Sequence, residues 1–261
     1  MIKIGMIGGS GFDDPDFLTD VRIFKKGTPF GPLSHDLVAG KAGNVEVVLI
    51  LRHGKGHRLM PSAVNYRANI WAMKEFGVTH VIATTACGSL REEIEPGHLV
   101  FPDQFIDRTL TRKSTFYEGD QVVHMSMADP FCERLRNILI DTAAAQHIPH
   151  HSRGTVVTIE GPRFSTRAES HMFRQWGCDI INMSTVPEAV LAREAGMCYA
   201  VAAMSTDYDA WHTSEEPVTW EMIATVMSKN VKNVKEIFFK ALPAITYEDC
   251  ACRHAIETAS V

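Results

Sequence analysis

Eight consecutive apolar residues, Met197-Cys198-Tyr199-Ala200-Val201-Ala202-Ala203-Met204, constrain this chain more than any other stretch. Rich in Ala and Val and lacking a polar face, they read as a strand buried on both sides. Ser205-Thr206-Asp207-Tyr208-Asp209 follow at once, so two carboxylates stand where that strand leaves its sheet. In extended chain, residues two apart point the same way, and Asp207 and Asp209 then face one site together. Ligands of open α/β sheets sit beyond the carboxyl ends of strands. A carboxylate pair there suits acid–base work or the reading of a donor-rich group such as an amino-purine edge. The competing reading is a turn, where Asp is common because its side chain bonds nearby backbone.

Further strands are expected at 2–7, 45–51, 78–84, 99–101 and 154–159, with helical patterns between them. Ser62 reads as the cap of a helix carrying Val64, Ala68, Trp71, Ala72 and Phe76 and ending at Gly77. Helices are also expected at 130–146, 167–175 and 219–242. Thr185-Val186-Pro187-Glu188 reads as a capping box opening another helix that stops at Gly196. This alternation defines the α/β class: a single domain, a mixed twisted sheet flanked by helices, spanning 1–245. Residues 246–261, which hold Cys250-Ala251-Cys252, are expected to form a loosely attached tail.

A chain of 261 residues can bury a full core, and its 45% hydrophobic and 22% charged content is ordinary for a globular protein. The formal charge of −5, without a basic block, argues against nucleic acid or an anionic membrane as partner. There is no signal-peptide pattern and no apolar run of membrane-spanning length, so a cytoplasmic location is expected. Cysteines at 87, 132, 178 and 198 are widely spread and read as buried thiols. The pair at 250 and 252 is open to three readings: a strained redox pair, a weak metal site with His254, or idle thiols.

Four strand exits are rich in glycine or hydroxyl groups. Gly8-Gly9-Ser10-Gly11 lets backbone amides approach an anion, although its glycine spacing is not that of a dinucleotide fingerprint. Arg52-His53-Gly54-Lys55-Gly56-His57 offers a guanidinium fork and further donors. His53 and His57 have a spacing that could hold a metal, but the intervening glycines oppose a helix and favour anion binding. Thr84-Thr85-Ala86-Cys87-Gly88-Ser89 and Asn182-Met183-Ser184-Thr185 complete the set, the last at a helix N-terminus. Four such exits in one domain fit a phosphate pocket better than four unrelated turns. Phe164, after Gly161-Pro162, could stack on a flat base or fill the core. No Gly-x-Ser-x-Gly elbow is present, which disfavours a serine hydrolase.

In this order, and with Asn65-Tyr66-Arg67-Ala68-Asn69-Ile70-Trp71-Ala72, Asp103-Gln104-Phe105-Ile106-Asp107 and Glu160-Gly161-Pro162-Arg163-Phe164-Ser165, the segments resemble the S-methyl-5′-thioadenosine phosphorylases of the trimeric nucleoside phosphorylase family. The resemblance covers roughly residues 2 to 242. It implies phosphorolysis of S-methyl-5′-thioadenosine to adenine and 5-methylthioribose 1-phosphate, with inorganic phosphate as co-substrate and no cofactor or metal. Ser10, Arg52, His53, Thr85, Ala86 and Ser184 would hold phosphate, with His57 beside them. Met183 would line the ribose and Phe164 the base, whose imidazole nitrogen and 6-amino group Asp207 and Asp209 would address. His124 would reach the 5′-substituent pocket of a neighbouring subunit, beside Thr206 and the helix of Trp220 and Ile223. A homotrimer or a hexamer of two trimers is implied.

Ser10 and Ser184 stand where the eukaryotic pattern has Thr; both keep the hydroxyl. Bulky Trp220 would reshape the 5′ pocket. Cys132, Cys198 and the terminal Cys-x-Cys are similar to the disulfide-containing archaeal and bacterial branch, which implies disulfides among them. The rival readings are a purine nucleoside phosphorylase accepting 5′-deoxyadenosine, adenosine or methylthioinosine, a nucleosidase using water, and a non-catalytic nucleoside-binding or redox/metal module using the tail cysteines.

Overall fold

The computed structural model describes residues 2–9, 17–213, 220–257 and 259, without the side chains of 220–225. Ser10 and Gly11 therefore lie outside the described residues, as do the side chains of Trp220 and Ile223.

The apolar run forms β11 (Cys198–Tyr208), buried from its first residue through Thr206. Its two faces enter different cores. Cys198, Ala200, Ala202 and Met204 pack into one, with Leu135, Leu139, Val234, Ile237 and Phe238. Tyr199, Val201 and Ala203 enter the other, with Tyr66, Ile70, Met73, Ala189 and Leu191. The first core is roofed by α2 (Glu133–Ala145) and α5 (Trp220–Ala241), the second by α1 (Tyr66–Glu75) and α4 (Thr185–Glu194). A strand with no polar face thus becomes the middle of three layers.

β5 (His80–Ser89) lies alongside β11 in parallel register and organises the rest of the mixed sheet. Its first residues also pair in parallel with β1 (Lys3–Gly8), which continues through β4 (Val45–Leu51) and β3 (Leu37–Ala42) to β2 (Thr19–Phe24). Its last residues, Gly88 and Ser89, pair instead with antiparallel β10 (Ile180–Asn182). From there the sheet runs through β9 (Thr155–Ile159) to β7 (Gln104–Arg108). The short β6 (Leu99–Val100) and β8 (His150–His151) extend the β11 edge. Because β1 and β10 leave β5 at different heights, the sheet parts beside Thr84–Cys87. That gap is the kind of crevice at which ligands of α/β sheets bind.

Three local expectations are corrected. Helix α1 is capped by Asn65, which accepts from Ala68 N–H at 3.2 Å, and not by Ser62, whose hydroxyl donates to Glu160. The capping box at Thr185–Glu188 does not form: Ser184 is the N-cap, Val186 is non-helical, and Glu188 turns into the core. The C-terminal segment is not loosely attached. Cys252, at the short α6 (Ala251–His254), is buried in the first core, and Ala259 O accepts from His124 N–H at 2.8 Å. All six cysteines are free thiols, against the disulfides that the resemblance implied. A capping box does occur at α3 (Arg167–Gln175), where Thr166 and Glu169 bond each other's backbone.

Candidate active site

One cleft opens at the parting of the sheet, and residues from all four anticipated segments line it, Ser10 lying outside the described residues. Arg52, His53, Thr85, Ala86 and Ser184 occupy one end; Met183, Phe164, Thr206, Asp207 and Asp209 line the remainder. His124 is not among the lining residues; it is exposed.

Arg52 follows β4 and is 1% exposed. Its Nε and Nη2 donate to the two carboxylate oxygens of Glu188 at 2.7 and 2.8 Å, and Nη1 donates to Thr84 O at 2.8 Å. Burial works against the guanidinium charge, but Glu188 more than offsets it and holds the pKa above its ordinary value. Glu188 also accepts from Tyr199 Oη at 2.8 Å. Arg52 therefore brings a neutralised ion pair to this end of the cleft rather than a bare positive charge. Glu188 draws its role from a partner 136 residues away, which a local capping pattern cannot reveal.

His53 Nδ1 lies 2.8 Å from Leu59 O. A carbonyl only accepts, so Nδ1 carries the proton and Nε2 keeps a lone pair. Burial, with Arg52 adding to it, lowers the imidazole pKa to about 3, so the ring is neutral at physiological pH. The His57 ring stacks on it with centroids 4.3 Å apart.

The hydroxyls of Thr85 and Ser184 are 2.9 Å apart. Asn182 sets both in place: its amide donates to Thr85 Oγ1 and Thr185 Oγ1, and its carbonyl accepts from Thr158 Oγ1 and Ser184 N–H. Arg112 does the same for the cleft wall. Its guanidinium donates to Met183 O, Val186 O and Glu160 O at 2.7 Å each, tying together the loops that carry them. No sequence pattern around Arg112 announces this. Asn182, by contrast, stands within one of the hydroxyl-rich exits.

At the other end, β11 carries a bulge. Ser205 pairs with Cys87 and Asp207 with Gly88, leaving Thr206 extra. The bulge lets the adjacent Thr206 and Asp207 both line the cleft, which strict alternation forbids. Asn230 of α5 anchors it by donating to Ser205 O at 2.9 Å. Thr206 Oγ1 donates to Asp207 Oδ1 at 2.6 Å. Asp209 is deeper, 7% exposed, and both its oxygens accept from Ser165 Oγ at 2.7 and 2.6 Å. Burial raises its pKa, against the lowering effect of Ser165 and Ser170. Gly88 faces both carboxylates: a Cβ there would lie 3.3 Å from Asp207 Oδ2 and 3.1 Å from Ile181. Phe164 is 59% exposed at the rim, so it is no core residue and its ring face is open to cover a flat ligand.

A parted α/β sheet with a hydroxyl-rich end and a carboxylate end to its cleft defines a class, and the sequence agrees. The model of the phosphorylase superfamily matches residues 3–243, and the chain belongs to that superfamily. Within it, the chain is 53% identical to the S-methyl-5′-thioadenosine phosphorylase of Danio rerio over 95% of its length and 90% of that protein. It is 51% identical to the protein of the same name from Thermofilum pendens over 100% of its length and 99% of that protein. The Schistosoma mansoni methylthioadenosine phosphorylase in complex with adenine superposes with a TM-score of 0.95 at 44% identity, covering 100% of this chain and 99% of that one. A mutant of that organism's adenosine/methylthioadenosine phosphorylase, in complex with methylthioadenosine, gives 0.93 at 43% identity, covering 100% and 99%.

Proposed function

We infer that this chain catalyses phosphorolysis of S-methyl-5′-thioadenosine to adenine and 5-methylthioribose 1-phosphate. The observation that carries the reading is one cleft with a hydroxyl and neutral-imidazole cradle at one end and two carboxylates at the other. The relatives' names supply the nucleoside between them.

Phosphate would sit against Thr85, Ser184 and the Arg52–Glu188 pair, with Ser10 contributing its hydroxyl. His53 Nε2 would accept a hydrogen bond from the P–OH of monohydrogen phosphate, a role that only a neutral imidazole can fill. A phosphate oxygen forms the new bond to C1′ while the C1′–N9 bond breaks, its electron pair passes into the purine, and C1′ inverts. Asp207 donates a proton to the imidazole nitrogen of the departing base, and Asp209 accepts from the 6-amino group. A 6-oxo base presents a lone pair there, which leaves buried acceptors facing each other at about 1–3 kcal/mol. Phe164 covers the base and Met183 the ribose.

The test is adenine release from methylthioadenosine with and without phosphate. Release that needs phosphate supports the reading; equal release without it marks a water-using nucleosidase. The Schistosoma mansoni protein is named for both adenosine and methylthioadenosine, so 5′-deoxyadenosine, adenosine and methylthioinosine complete the panel. Preference for methylthioinosine would overturn the assignment of the carboxylates.

Trimeric or hexameric assembly, with exposed His124 completing a neighbour's 5′ pocket, is part of this proposal. Light scattering of the purified protein checks it. A cytoplasmic location is likewise proposed; among the described residues no helix is long and apolar enough to cross a membrane. The proposed domain is 1–245, with 246–261 as an appended segment.

A further inference from the structure

At the far end of β11 from the cleft, four thiols converge. Cys198 opens the strand, Cys132 is the N-cap of α2, and Cys250 and Cys252 flank the start of α6. All four Sγ atoms lie within 4.8 Å of one another, and Cys132 and Cys250 are 3.8 Å apart. Cys132, Cys198 and Cys252 are buried and Cys250 half-buried. His254 takes no part: its ring nitrogens engage Asp249 and Glu257. The second pair of thiols comes from the body of the fold, which a reading of the tail alone could not supply.

Tetrahedral thiolate coordination, with metal–sulfur bonds of about 2.3 Å, places its sulfurs about 3.8 Å apart along every edge. Two disulfides would instead draw the sulfurs into two pairs at about 2.05 Å. Mutual convergence of all four is the coordination pattern. The surroundings suit an anionic metal–thiolate centre. Cys132 and the Arg134 and Arg253 guanidinium groups all lie close enough to His80 to act on its charge, which places positive charge near the cluster. We propose that Cys132, Cys198, Cys250 and Cys252 form a closed tetrathiolate site for one zinc-class divalent cation that staples the C-terminal segment to the core. Four protein ligands leave no open position for substrate, so the site is structural. The strand from Cys198 to Asp207 spans roughly 30 Å, which keeps the staple clear of the cleft. This revises the expectation of a metal-free chain.

Protein purified under reducing conditions without chelator is assayed for metal by mass spectrometry and for thiols in denaturant. About one zinc per chain is expected, with loss of that zinc in the C250S/C252S double variant. Cobalt exchanged into wild-type protein should give the intense thiolate-to-metal charge-transfer absorption of a tetrahedral sulfur site. The double variant, or wild type stripped by chelator, should unfold on the order of 5 °C lower, with kcat and KM unchanged below that temperature. Absence of metal after zinc addition would overturn the proposal, whether the thiol count shows disulfides or six free thiols. The wild-type metal content and cobalt spectrum decide the matter even if the double variant fails to fold.

Discussion

Asp207 and Asp209 are two residues apart on one strand yet meet different surroundings. Asp207 accepts the Thr206 hydroxyl, while Asp209 is enclosed and shares Ser165 between both oxygens. Asp207→Asn removes the proposed acid and keeps the shape, so kcat on methylthioadenosine should fall about 10²- to 10⁴-fold with the fold intact; near-wild-type turnover would exclude that role. Glu188→Gln leaves the buried Arg52 without its counter-charge. A loss of about 3 kcal/mol in urea unfolding is expected, together with a raised KM for phosphate. His53 sets a pH dependence. In the unfolded chain the ring takes a proton near pH 6.5, whereas folded His53 holds off protonation to about 3. Its contribution to stability is therefore full above pH 6.5 and lost as the pH falls toward 3. Melting curves should show wild type losing Tm more steeply than His53→Gln between pH 6.5 and about 4.

The elements legible in the sequence are those with strong local patterns. The run at 197–204 can hardly be anything but a buried strand, and the exits after β1, β4 and β10 stand out through glycines, hydroxyls and Arg52. The hydroxyl-rich segment at 84–89, expected as a strand exit, is instead the second half of β5, which runs on to Ser89 along β11. What escapes is set by partners far along the chain. Thr185-Val186-Pro187-Glu188 carries a sound capping pattern, but a buried bidentate contact with Arg52 outweighs a helix cap of about 1 kcal/mol. The bulge at Thr206 needs Asn230 from α5 and has no mark of its own in the strand. Alternation places the two carboxylates on one site, although the bulge interrupts that alternation just before them. Gly88 illustrates the remaining category, a glycine required by space. Gly88→Ala should crowd Asp207 and Ile181 and lower kcat/KM about 10-fold or more without loss of soluble protein.

At the scale of the molecule, two apolar cores meet on β11, with helices packed on either side. Phe238, 1% exposed in the first core, is remote in role from the chemistry. Phe238→Ala should cost about 3–5 kcal/mol of unfolding free energy and leave KM unchanged, as denaturation and kinetics on the same sample would show. β5 has a consequence that reaches beyond stability. In the proposed reading it presents Thr85 to phosphate and Gly88 to the carboxylates, three positions or about 10 Å apart along one stiff strand. The span between nucleophile and leaving base is thus gauged by backbone repeat distance, insensitive to loop movement. Drift in the surrounding loops can re-tailor what hangs from the sugar's far end. The one-pentose interval between phosphate and purine would change only if β5 itself gained or lost a residue.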